Sequence, residues 1–178
     1  QQRFQEATGI QLPGKLAGIA DRARWILNHH SGQWRDFKCS VITDFVGQMV
    51  TRLRAVREDD LMLGLYVPPL SCDGLESWAG QRLSDLSSLV DVISPMAYHA
   101  ILHRSPPWVG EVIAEVSTQV SHPLLPVVQV DSEEGKEAGA DWGPPIPLEE
   151  WESVVRLVLE SPDVSGLIAF TGTALLSE

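Results

Sequence analysis

Four short apolar runs, at 61–67, 92–96, 124–130 and 166–170, alternate with stretches of helical periodicity. That alternation restricts the fold more than any other feature. Val92-Ile93 is too brief for a helix and is bounded by turn formers, so it reads as a buried parallel strand. The run at 61–67 is stopped by Pro68-Pro69, which cannot donate to a sheet ladder. Helices alternating with such strands imply right-handed βαβ units and a parallel sheet in chain order. The fold class is therefore α/β. Four strands form either a small open sheet or half of an eight-stranded barrel, whose usual size is about 250 residues.

The spacing predicts a long helix over 34–57. Trp34, Phe37, Val41, Phe45, Met49, Leu53 and Val56 recur every three or four residues as one apolar stripe. A shorter helix lies within 74–89, with Ser84 or Asp85 as a cap. Another runs over 105–120, with Ser105 as N-cap and Pro106 in its first turn. A last one starts at Pro147. Glu149, Glu150 and Glu152 suit the positive end of its dipole, and Trp151, Val154, Val155, Val158 and Leu159 form its buried face. Residues 1–33 read as an irregular lead-in with a short helix at 22–27, and 34–178 as the folded unit. A chain that opens on loop and helix at Gln1, without a signal peptide, is expected to be a processed product or a fragment. That opening favours the half-barrel.

Composition narrows the partners. Hydrophobic residues make up 44% of the 178, enough for a core. With 13 basic and 24 acidic residues the formal charge is 13 − 24 = −11, which argues against nucleic acid. No apolar stretch is long enough to span a bilayer. Cys39 and Cys72 have neither metal nor disulfide-framework spacing, and Cys39 suits a small filler within the helix. No cofactor and no metal are expected, and the composition does not specify a compartment.

The strands close on polar groups, as strands do at an α/β active-site rim. Asp131 follows the run 124–130 directly and is the leading carboxylate. It serves either a site or the capping of nearby amides. Glu133 and Glu134 read as solvated charges. Tyr98 can hydrogen-bond a substrate or pack at the core edge, and His99 can transfer protons or hold a loop. Gln129 alternates in direction with Val128 and Val130, so either it or the valines face the inside of a barrel. Trp142, in a loop with prolines behind it, either stacks on a sugar or pins that loop.

The run Val90-Asp-Val-Ile-Ser-Pro-Met-Ala-Tyr-His99, with its Met96-x-Tyr98, resembles the sixth-strand region of glycoside-hydrolase-like (β/α)8 barrels akin to chitinase-type barrels. Leu65-Tyr-Val-Pro68, Gln129-Val-Asp131 and Ile168-Ala-Phe-Thr-Gly172 would end strands five, seven and eight. The resemblance covers most of 34–176. It implies the C-terminal half of a TIM barrel, about strands 5–8, from a glycoside hydrolase acting on polysaccharide or oligosaccharide. Two positions depart from the pattern: His99 stands where those barrels usually have Asp, and Phe170 where they often have Trp. Their principal acid ends strand four, which would precede Gln1, so this chain alone is expected to be inactive. Asp131, His99 and Tyr98 would be secondary catalytic groups, and Tyr66, Met96, Gln129, Trp142 and Phe170 would line the substrate. The expected partners are a carbohydrate and either the missing half-barrel or a second copy. The reason for the latter is an inner sheet face bearing Ile93 and Val128 with nothing to cover it. A non-catalytic carbohydrate-binding barrel and a metal-dependent hydrolase using His99 and Asp131 are the alternatives.

Overall fold

The computed structural model describes residues 2–15, 18–56, 61–132, 139 and 141–170. The fold is mixed α/β. Strands β1 (Gly64–Val67), β2 (Val92–Ala97), β3 (Val127–Gln129) and β4 (Ile168–Phe170) form one sheet in the order β1-β2-β3-β4. Every pairing is parallel, as the alternation predicts. Pro95 sits within β2, between two neighbours. It has no N–H to give, and the β2–β3 pairing is interrupted between Ile93↔Leu124 and Met96↔Val127.

Helices α1 (Gln2–Thr8), α2 (Ile19–His29) and α3 (Ser31–Val56) precede the sheet. The lead-in thus holds two helices where its sequence suggests one. Phe4 of α1 is fully buried, with its ring edge-on to Trp34 and Phe37 at 5.3 and 5.5 Å. Helix α3 matches the predicted span, but its burial does not follow the predicted stripe. Val46 and Val50 pack towards the core, while Phe45, Met49, Leu53 and Val56 are exposed. Between β1 and β2 lie α4 (Cys72–Gly74), a π turn (Leu75–Ala79) and α5 (Leu83–Leu86). Ser71 caps α4 by accepting from Gly74 N–H, and no side chain caps α5, so Ser84 and Asp85 do not serve there.

Helix α6 (Pro107–Ser117) joins β2 to β3, and α7 (Leu148–Leu159) precedes β4. Pro106, not Ser105, occupies the N-cap position of α6, without a side-chain cap. Val109, Val112, Ile113 and Val116 of α6 and Val154 and Val158 of α7 form the core with Val67, Ile93, Ala97, Leu124 and Val128. Ile93 and Val128 are therefore not an uncovered inner surface; they lie beneath helices. The register puts Tyr66, Ser94, Met96, Val127, Gln129, Ile168 and Phe170 together on the opposite face. Among the described residues no helix is long and apolar enough to cross a membrane.

Candidate functional site

The C-terminal ends of β2, β3 and β4 bring three aromatic rings together. Tyr98 follows β2 by one residue, Phe170 ends β4, and Trp142 lies in the segment that leads to α7. Tyr98 stacks on Phe170 with ring centroids 4.9 Å apart and planes at 24°, and Trp142 leans on the same Phe170 at 5.4 Å and 35°. Such offset contacts favour a fixed arrangement over a collapsed one. All three rings are half-buried, so part of each remains accessible. Burial raises the Tyr98 phenol above its ordinary value of 10.0, with a further upward push from Tyr66. The Tyr98 phenol therefore stays protonated at neutral pH and can donate a hydrogen bond. Tyr66, 56% exposed, stands on the same sheet face as Met96 and Phe170.

Gln129 is wholly buried beside this cluster. Its Nε2 donates to the carbonyls of Asp131 (3.0 Å) and Trp142 (2.9 Å), and its Oε1 accepts from Ile101 N–H (3.0 Å). Both amide donors are thus spent on backbone, so the predicted direct role at a substrate does not match its contacts. The alternation of Gln129 with its valines is legible in the sequence, but its partners are not.

The same rim is tied at a second point. Gly143 adopts φ +88°, and a Cβ there would fall on the Ala100 carbonyl. The close approach of the 141–143 and 98–101 segments thus requires glycine. Asp141 Oδ1 accepts from Gly143 N–H at 3.0 Å, and its Oδ2 lies 3.4 Å from His103 Nε2. The Gly143 amide, then His103, hold its carboxyl below the ordinary 3.8.

The three residues expected to act chemically are dispersed. His99 is 0% exposed, and its Nε2 is 3.0 Å from Oε1 of Glu150 in the first turn of α7. Its Nδ1 is buried without a partner among the described residues. It fixes the segment after β2 to α7, a loop-holding task, and does not reach solvent as a rim acid or base would. Asp131 is half-exposed, and its Oδ1 accepts from the N–H of the adjacent Ser132 at 2.7 Å. Only Tyr98 lies in the aromatic cluster. Among the described residues no group of three or more His, Cys, Asp or Glu side chains could hold a metal, and His99 pairs with Glu150, not with Asp131. Glu133, Glu134 and the 171–173 segment lie outside the described residues.

The fold and this rim define an α/β protein with an aromatic, hydrogen-bonded face at the carboxyl ends of a parallel sheet. No protein-family model matches the chain, and no curated protein matches it.

Proposed function

We propose that this chain is part of a carbohydrate-active (β/α)8 barrel, about its strands five to eight, and supplies a sugar-binding wall. The observation that carries the reading is the Tyr98–Phe170–Trp142 cluster at the carboxyl ends of parallel strands. Ligands of open and closed α/β sheets bind at that end. Flat rings suit the C–H faces of a pyranose, and the phenols of Tyr98 and Tyr66 suit its hydroxyls. In a glycoside hydrolase two carboxyl groups flank the bond. Asp131 lies two residues beyond the end of β3. The burial of His99 favours the second reading, a carbohydrate-binding barrel without hydrolysis.

Calorimetric titration with a panel of neutral oligosaccharides tests the wall. At least one should bind, and Phe170→Ala should weaken it about tenfold, equivalent to about 1.4 kcal/mol. No binding at millimolar sugar, or equal affinity in the variant, would remove the proposal. Hydrolysis of the bound sugar by a preparation containing the complete barrel, lost in Asp131→Asn, separates the enzyme from the binding module.

A further inference from the structure

We propose that Gln129 is the positioning residue of the aromatic rim. Its side chain sets where Trp142 stands relative to Tyr98 and Phe170. The amide lies at the end of β3, and it bonds to backbone in two of the segments that carry those rings and to its own strand exit. One bond reaches Trp142 itself, through its carbonyl. Another reaches Ile101, three residues beyond Tyr98. The third holds Asp131, where the chain leaves β3. Val130 N–H donates to Phe170 O, so the same stretch also registers the ring in β4. Polar groups are scarce at 0% exposure and costly when unpaired, so an amide buried here is retained for what it bonds. No hydrophobic residue of similar size could take its place without freeing two carbonyls and one N–H. The neighbouring Gly143 cannot do this alone, because it permits the approach of the two segments but supplies no bond between them.

The test reads the rim directly and requires no ligand, so its outcome is independent of whether the wall binds sugar. The Trp142 signature is isolated as the near-ultraviolet circular dichroism of the chain minus that of Trp142→Phe. Gln129→Glu places a carboxylate against two carbonyl oxygens, which repel it and raise its pKa. At pH 8 the Trp142 signature should fall by at least half, with far-ultraviolet signal and cooperative melting retained. At pH 5 the protonated carboxyl donates one bond again, and the signature should recover in part. Gln129→Met, which has no donor, should lose the signature at both pH values. A signature retained in Gln129→Met at both pH values, or lost in Gln129→Glu at pH 8 without recovery at pH 5, would overturn the proposal. So would global unfolding of both variants, which would make Gln129 a residue of the whole fold and not of the rim.

Discussion

Replacing His99 by Ala tests whether this residue is an anchor inside the protein. The side chain is fully buried and spans from the end of β2 to Glu150 at the start of α7. Its hydrogen bond to a carboxylate contributes about 1.5–3 kcal/mol. Deleting a buried ring also leaves a cavity, which costs about 3 kcal/mol for a large apolar side chain. Two effects reduce the total. Nδ1 already lacks a partner among the described residues, so removing it relieves roughly 1–3 kcal/mol of desolvation. Glu150 keeps about a third of its surface in water and can be rehydrated. The net loss is about 2–4 kcal/mol, or about 5–15 °C in melting temperature for a chain of this length. Glu150→Gln keeps an acceptor at the same place and should lose no more than about 1 kcal/mol. Urea unfolding of both variants at pH 7, followed by far-ultraviolet signal, measures these differences. A loss below about 0.5 kcal/mol in His99→Ala would refute the anchoring role and return His99 to consideration as a mobile, reactive group.

Two further outcomes concern the rim turn and helix α3. The Asp141 carboxyl is held below its ordinary 3.8, so any stability it gives is present above that value and is lost only as the pH falls through its lower folded value. A pH titration of the Gly143 amide by NMR should show a midpoint below 3.8; a midpoint at or above it would contradict the Asp141–Gly143 bond. The exposed stripe on α3 offers an apolar patch for association, with Phe45 59% exposed and Met49 46%. Phe45→Glu with Met49→Lys should leave the melting temperature within about 2 °C and reduce self-association in sedimentation velocity. An oligomer distribution identical to that of the parent would exclude this stripe as the contact.

The element types and the strand order follow from features that act locally. Short apolar runs with Pro and Gly at their ends, and apolar residues at helical spacing, depend on backbone geometry alone, and the four strands and α3, α6 and α7 reflect them. Which face is buried depends on neighbours instead. In α3 the pattern Phe45-Met49-Leu53 and the pattern Val46-Val50 are both helical, one residue apart, and the second packs against the hydrophobic core. The same ambiguity reverses the sheet, since strand alternation does not say whether Val128 or Gln129 meets the helices. Covering Val128 and Ile93 with α6 and α7 resolves it. Capping shows a similar gap, because Ser105 has the right chemistry but Pro106 takes the position.

That reversal also decides which rim residues keep free chemistry. Once the valines go under the helices, Gln129 must lie on the other face, where its amide is buried among loop carbonyls and becomes structural. His99 follows Tyr98 by one residue. Tyr98 joins Phe170, whereas His99 is enclosed against α7. Adjacent polar residues at a strand end thus separate into a solvent-facing and a helix-facing member. A polar cluster in sequence marks the end of a strand, but only about half of it can act on the same ligand. On this chain the half that shares a face is aromatic and phenolic: Tyr66, Tyr98 and Phe170, joined by Trp142 from the following loop. Such a set offers ring faces together with the phenol of Tyr98, which burial keeps protonated. Ring faces beside a hydrogen-bonding phenol are the features on which the proposed sugar-binding wall rests.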